Sequence, residues 1–173
     1  MKIQTKDLAI IAIYSALYVV LSYISPIPIY GAIQFRIANV LLATIPLLGM
    51  AGVFGHTLGV FVVNMSSHLG PIDLLNTLPA FAMAFIVHYV YKHTKNDYTI
   101  IGTGIAYSAV LGATVGWMLS YTGNTGGATM LATMAYVTTA NIIASVLIGW
   151  PVFKILKRSD VFEKLINRGE KYA

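Results

Sequence analysis

The amino-acid sequence predicts an all-α membrane protein, a single domain over residues 1–173 with six transmembrane helices. Three observations indicate this class. The chain is 57% hydrophobic and only 10% charged, whereas soluble domains carry about 25% charged residues. Its apolar residues form runs that approach the roughly 20 residues a helix needs to cross a bilayer. Ten of the eleven Lys and Arg residues flank these runs, so they report membrane orientation and not a nucleic-acid-binding surface.

Turn and helix-breaking residues divide the chain into six apolar segments. Pro26 and Pro28 end the first segment, and Pro46 interrupts the second. Residues 49–52 form a short turn before the third. Asp73 is suited to begin the fourth, because its carboxylate accepts hydrogen bonds from the N–H groups at a helix N-terminus. The predicted segments cover about residues 7–24, 34–48, 53–65, 73–91, 99–121 and 128–153.

Small residues recur at four-residue spacing in three of these segments, and such spacing lets two helix backbones approach closely. In the fifth segment they are expected to form a groove for a neighbouring helix. In the first, spacing alone favours ordinary packing within the protein over contact with a partner. The residues concerned are Ala12 and Ala16 in the first segment, Gly55 and Gly59 in the third, and Gly104, Ser108, Gly112 and Gly116 in the fifth.

The distribution of positive charge tests the number of spans. With six spans, the N-terminus, the turn at 49–52, the loop at 92–95 and a basic amphipathic tail at about 154–173 share one side, which then holds ten of the eleven Lys and Arg residues. The loops on the opposite side hold none. The positive-inside rule therefore predicts a multi-pass protein of the cytoplasmic membrane with both termini in the cytoplasm. Five spans would separate the two terminal basic clusters.

Arg36 is the residue around which a functional site is expected, since it is the only Lys or Arg between Lys6 and Lys92. A charge near the bilayer centre costs roughly 2.5–3.5 kcal/mol, so such a residue usually faces protein, water or a ligand. The predicted topology brings further polar and aromatic residues toward the same outer side. The candidate substrate-binding residues are Gln34, Arg36, Asn39, Asn64, His68, Asp73, Asn76, Trp117, Tyr121 and Asn141.

Several of these candidates also have a purely structural explanation. Arg36 could extend its guanidinium to the outer headgroups, and Asp73 could simply cap its helix. Trp117 and Tyr121 could belong to an interfacial aromatic belt. Asn141 could link two helices by a hydrogen bond. For single residues of these types, helix capping and the aromatic belt are the commoner roles.

Sequence motifs for catalysis and for cofactor binding are missing. The chain has no cysteine, its four His residues lack metal-ligand spacing, and no paired carboxylates or nucleophile–base motif stands out. It also lacks the Gly-x-x-x-x-Gly-Lys-Ser/Thr loop that would bind ATP. We therefore predict a protein that is not an enzyme and needs no metal or other cofactor. An outward polar site without an energy source suggests a binding subunit that depends on partners.

Three motifs occur in combination: Gln34-Phe35-Arg36-Ile37, a Gly-x-x-x-Gly helix ending in Val63-Asn64, and Leu69-Gly70-Pro71-Ile72-Asp73-Leu74-Leu75. Together they resemble the QueT family of substrate-binding S components of energy-coupling factor (ECF) transporters, which is associated with uptake of queuosine precursors. The resemblance implies a six-helix S-component bundle with its site open to the outside. It also implies docking on a membrane-embedded T subunit driven by two cytoplasmic ATPases. Small residues of the first helix make that contact in S components, and here they are Ala12 and Ala16.

Two positions depart from the family pattern. Asn39 occupies a position that is usually Glu in a Gln-x-Arg-Ile-Ser-Glu run, and Ala140-Asn141 replaces a Gly-Glu pair. An amide donates and accepts hydrogen bonds but offers no negative charge to a ligand ammonium group. We therefore expect a neutral substrate to be preferred over one with a protonated amine.

The residues and the resemblance together predict an S component for a small, planar, polar molecule such as a 7-deazaguanine precursor. Trp117 or Tyr121 would stack on its ring, and loops 25–33 and 121–127 would close over it. The residues expected to supply hydrogen bonds are Arg36, Asn39, Asn64, Asp73, Asn76 and Asn141. The alternatives are an S component for another vitamin or nucleobase, a self-assembling carrier or channel that works without ATPases, and an intramembrane enzyme. The last is disfavoured by the missing nucleophile and metal ligands.

Overall fold

A computed structural model of the chain describes residues 4–25, 34–67 and 69–159. Over these residues the regular structure is entirely helical, which confirms the predicted all-α class. In chain order the elements are α1 (Thr5–Tyr23), a 3-10 helix (Ile37–Thr44), α2 (Ile45–Met65), α3 (Pro71–Leu74), α4 (Thr77–Thr94), α5 (Tyr98–Tyr121), α6 (Met130–Ile142), a π-helix (Ile143–Ile148) and α7 (Gly149–Lys157).

Among the described residues, five helical segments are long and apolar enough to cross a membrane: Thr5–Tyr23, Ile37–Met65, Pro71–Thr94, Tyr98–Tyr121 and Met130–Lys157. The sequence predicts six because it places a turn inside the second of these. Pro46 lies in the first turn of α2 and does not end it, so the predicted second and third helices both fall within the Ile37–Met65 segment. Gly49 nevertheless interrupts it with non-helical angles, φ 63° and ψ −142°. A glycine adopts this positive φ without the steric cost of a Cβ.

Contacts with α1 give the chain direction before Gly49. The Tyr14 hydroxyl donates a hydrogen bond to the carbonyl oxygen of Leu41 at 2.5 Å. One turn further along α1, the Tyr18 hydroxyl donates to Oδ1 of Asn39 at 2.8 Å. The later α1 residue, Tyr18, contacts the earlier residue of the 3-10 helix, Asn39. The 3-10 helix therefore runs antiparallel to α1.

Beyond Gly49 the direction is reversed. A Cβ on Gly55 would lie 2.9 Å from Cβ of Tyr14, and a Cβ on Gly59 would lie 2.6 Å from Cβ of Tyr18. Here the later α2 residue, Gly59, contacts the later α1 residue, Tyr18. This part of α2 therefore runs parallel to α1. The Ile37–Met65 segment is therefore bent back on itself at Gly49, within the predicted turn at 49–52.

The small-residue stripe of α5 faces a neighbouring helical segment, as predicted, and this segment consists of α6 and the π-helix that continues it. A Cβ on Gly104 would meet Val146, one on Gly112 would meet Thr138, and one on Gly116 would meet Met134. Because the partner numbers fall as the glycine numbers rise, the two helices are antiparallel and in close contact. The groove predicted from the four-residue spacing is confirmed.

The small pair of α1 does not take part in internal packing in the described residues. Tyr14 and Tyr18 form the buried face of this helix against the main hydrophobic core, which includes residues of the 3-10 helix, α2, α4 and α5. Ala12 and Ala16 are both exposed. The packing role that spacing alone favoured for the pair is therefore wrong, and its side of α1 remains uncovered by the described chain.

Basic residues of α7 form an ion-pair cluster with the connection between α4 and α5. Oδ2 of Asp97 lies 2.6 Å from Nζ of Lys154, and Oδ1 lies 2.5 Å from Nζ of Lys157. Burial would by itself raise the pKa of the Asp97 carboxyl, but the hydrogen bonds from both lysines outweigh burial and hold the pKa below its usual value. The cluster thus fastens α7 to the α4–α5 connection.

We expect this cluster to make stability depend on pH in acid. The folded-state pKa of Asp97 is the lower one, so the ion pairs stabilise the fold above about pH 4, the usual range of a free Asp, and cease to do so as the pH falls through the folded-state pKa. Both lysines are partly exposed, so the contribution is about 0.5–1 kcal/mol. Thermal unfolding in detergent should show Asp97→Asn less stable than the wild type at neutral pH, with the difference shrinking as the pH falls below the usual range of a free Asp. A gap that is constant with pH would contradict this.

Candidate functional site

A cavity lies between α1, the 3-10 helix, α2, α5 and α6. It has a volume of about 20 Å³, which is room for about one water molecule. Five of the predicted site residues line it, namely Gln34, Arg36, Asn39, Asn76 and Asn141. The other lining residues are Tyr18, Val60, Tyr107, Leu111, Val115 and Val137. A ring-sized ligand therefore requires these side chains to move apart.

Arg36 is the N-cap residue of the 3-10 helix and has extended backbone angles. Its Nη1 donates a hydrogen bond to Oδ1 of Asn64 at 3.0 Å, and its Nη2 lies 3.9 Å from Oδ2 of Asp73. Nδ2 of Asn64 donates to the backbone carbonyl of Asp73 at 3.1 Å. Asn64 and Asp73 do not line the cavity. They contact the guanidinium on its side away from the cavity and fix its position.

Asn39 is the hub of a buried hydrogen-bond network. Its Oδ1 accepts from the hydroxyl of Tyr18 at 2.8 Å and from that of Tyr107 at 3.5 Å. Its Nδ2 donates to Oδ1 of Asn141. The Tyr107 hydroxyl also lies 3.2 Å from Nε2 of His56. Asn39 and Asn141 are thus in direct contact, although they are far apart in sequence.

Local structure explains how α4 and α6 present their amides. Asn76 directly precedes α4, and its Oδ1 accepts from Oγ1 of Thr114 on α5 at 2.9 Å. Asn141 lies at the end of α6, just before the π-helix begins at Ile143. The carbonyl oxygen of Asn141 accepts from Oγ of Ser145 at 2.7 Å. Irregular helix turns of this kind are frequent at functional sites.

The predicted aromatic residues lie away from this cavity. Trp117 is 45% exposed and Tyr121 is 74% exposed, and their rings stack on each other with centroids 5.7 Å apart. Neither lines the cavity. His68 and residues 26–33 of one predicted closing loop lie outside the described residues, as does the tail from residue 160 onward.

The cavity contains two aromatic residues that the sequence interpretation missed, Tyr18 and Tyr107. Both are fully buried, and both direct their hydroxyl at Asn39. Four-residue spacing between Tyr14 and Tyr18 was a usable signal, because it puts two hydroxyls on one face of an otherwise apolar helix. Tyr107 gave a weaker signal, since it adjoins the small-residue stripe at Ser108.

The arrangement suits binding of a planar polar molecule. Aliphatic residues and tyrosine rings offer apolar walls, while a guanidinium and several amides offer directional hydrogen bonds. No group of three or more His, Asp or Glu residues that could hold a metal ion occurs within residues 4–25, 34–67 and 69–159.

Comparison with known proteins identifies the family. The family model described as QueT transporter matches residues 8–158. Neither the curated proteins nor the solved structures gave a match. The matched region runs from α1 to the end of α7 and includes every residue of the cavity. This family consists of transporters and not of enzymes, and the apolar helices agree with a multi-pass membrane protein. The chain belongs to the QueT transporter family.

Proposed function

We propose that the protein is the substrate-binding S component of an ECF-type importer. It binds a queuosine precursor or a related 7-deazapurine from the outside. It releases this ligand inside when docked on a T subunit with two ATPases. The observation that carries the proposal is the convergence of Arg36 and four amide side chains on a single cavity in a chain of this transporter family.

The proposed topology has six passes with both termini in the cytoplasm. Its support is the reversal of chain direction at Gly49, which divides the Ile37–Met65 segment into two passes. The first of these is short, because only residues 37–48 precede the bend. A 3-10 helix rises about 2.0 Å per residue against 1.5 Å for an α-helix. The eight 3-10 residues and the four α-helical ones therefore extend over roughly 22 Å. Arg36 precedes them with extended backbone angles and adds to this length.

The contact between Asn39 and Asn141 supports a neutral ligand. Two carboxylates at these positions would repel each other unless a cation lay between them. Two amides instead satisfy each other by a hydrogen bond. A ligand that lacks a protonated amine therefore suits this pair. Its ring would lie against Tyr18 or Tyr107, which take the stacking role that the sequence suggested for Trp117 and Tyr121.

The exposed side of α1 supports docking on a membrane-embedded partner. Ala12 and Ala16 lie on this side, next to the exposed side chains of Ile13 and Leu17. Small residues at four-residue spacing let a second helix approach closely within the bilayer. We propose that a helix of the T subunit packs here.

Uptake of radiolabelled 7-cyano-7-deazaguanine by cells tests the proposal. We expect uptake only when the chain is expressed with a T subunit and two active ATPases, and binding of the same compound by the purified chain alone. The matched control is an ATPase pair inactivated in its Walker A lysine. Uptake by the chain alone would indicate an autonomous carrier instead. Mass spectrometry of small molecules that copurify in detergent would reveal a different vitamin or nucleobase.

A further inference from the structure

A buried ion pair adjoins the cavity. Arg36 is 9% exposed and Asp73 is 1% exposed, and the closest approach of the two charged groups is 3.9 Å. Both carboxylate oxygens of Asp73 are buried and accept no hydrogen bond from the residues that the structure describes. A buried carboxylate in this state is costly. Its presence therefore calls for a role other than helix capping or hydrogen bonding to Arg36.

The ion pair determines the net charge near the ligand. Arg36 is the charged residue of the cavity lining, and Asp73 lies directly behind it. The other charged residues with described positions lie in the first turn of α1, in the α4–α5 connection and its flanks, and at the end of α7. Charges interact strongly over several ångströms in a medium of low dielectric constant. A ligand at the cavity therefore experiences Arg36 and Asp73 together, and the charges of these two residues offset each other.

We propose that Asp73 determines the charge of the ligand that the site accepts. It neutralises Arg36 without accepting a hydrogen bond from it, so the site selects a neutral molecule and rejects anions as well as cations. An anion beside Arg36 would also lie near the carboxylate of Asp73, which repels it. The attraction of the anion to Arg36 would then no longer offset the hydration that the anion loses on entering the cavity. A cation would be repelled by Arg36, which lies nearer the cavity. This inference rests on the proposed function for the ligand class, and it makes Asp73 a positioning and selectivity residue that does not contact the ligand.

The first test needs no substrate. In Asp73→Asn the shape is kept but Arg36 loses the negative charge of Asp73 beside it, and chloride is small enough for the cavity. We expect chloride, compared with bulky gluconate, to raise the melting temperature of Asp73→Asn in a saturable manner. It should not do so for the wild type, for the double variant Arg36→Gln/Asp73→Asn, or for Asp7→Asn, which removes a carboxylate in the first turn of α1. If Asp73→Asn does not fold, Arg36→Gln carries the same test with methylammonium as the probe. Absence of a specific ion effect in these variants would overturn the proposal.

The second test uses three 7-deazaguanines that differ only at position 7, with a neutral cyano, an anionic carboxyl or a cationic aminomethyl group. The wild type should bind the cyano compound best. Asp73→Asn should raise the affinity ratio of the carboxyl to the cyano compound by about tenfold. Arg36→Gln should raise the ratio of the aminomethyl to the cyano compound, and the double variant should restore the preference for the neutral one. Unchanged ratios would overturn the proposal. If the wild type binds none of the three, the proposed function fails and the chloride titration alone decides the role of Asp73.

Discussion

Replacing Asn39 with leucine should lower the affinity for a 7-deazapurine by about a hundredfold or more. Leucine has nearly the same size, but it can neither accept from the hydroxyls of Tyr18 and Tyr107 nor donate to Asn141. A ligand group that faces Asn39 would be buried without a partner, which costs about 1–3 kcal/mol, and a hundredfold loss of affinity corresponds to about 2.7 kcal/mol. The loss should exceed that of any single-contact residue because the substitution also frees Tyr18, Tyr107 and Asn141 to leave their positions in the cavity wall.

Isothermal titration in detergent, with the melting temperature measured in parallel, checks this expectation. The matched control is Asn96→Leu, which removes an exposed amide in the α4–α5 connection and should leave affinity unchanged. The melting temperature separates loss of the site from loss of the fold. A folded Asn39→Leu protein with wild-type affinity would exclude Asn39 from the site.

Features governed by local spacing were predictable from the sequence. The stripe of small residues on α5 needs only a four-residue repeat to be recognised, and close contact with a neighbouring helix follows from that repeat. The structure shows that this helix is α6. The turn near Gly49 follows in the same way from Pro46 and two glycines within a few residues. The concentration of polar groups around Arg36 was predictable because isolated charge is expensive in an apolar segment.

The rotational setting of each helix was not predictable from the sequence. Trp117 and Tyr121 share a face of α5, and the sequence does not say that this face is exposed. For the same reason, Tyr18 and Tyr107 were missed, since only the packing of α1 and α5 around the 3-10 helix brings them to Asn39. The hydrogen bond between Asn39 and Asn141 joins residues 102 positions apart. A contact over such a separation is a property of the whole bundle and leaves no local pattern.

The assignment of individual polar residues to contact or support roles also required the structure. Asn64, Asp73 and Asn76 all lie between the end of α2 and the start of α4, and the sequence does not distinguish their roles. Only Asn76 lines the cavity, while the other two hold Arg36 from behind. The distinction matters for experiments, since a supporting residue should change selectivity or geometry without a direct ligand contact.

Replacing Gly116 with alanine should separate α5 from α6 and lower the stability of the bundle by about 1–3 kcal/mol, the usual cost of overpacking. The added Cβ would lie 2.8 Å from Cα and 2.9 Å from the backbone nitrogen of Met134. Backbone atoms cannot rotate away as a side chain does, so one helix must shift. Because α6 carries Asn141, that shift should also weaken the bond to Asn39 and lower ligand affinity.

Gly102→Ala is the matched control, because the same substitution in the same helix meets open space, with no atom within 4 Å of the added Cβ. Alanine is favoured over glycine within a helix by up to about 1 kcal/mol, so this variant should be as stable as the wild type or more so. Gly116→Ala is therefore expected to lower the stability and Gly102→Ala to keep or raise it. This comparison separates the steric effect at Gly116 from any general effect of replacing glycine in α5. Intrinsic fluorescence of Trp117 and Trp150 during thermal unfolding in detergent should report the difference. Equal melting temperatures would mean that the close approach of α5 and α6 at Gly116 does not limit stability, and that the four-residue stripe tolerates a larger separation between the two helices.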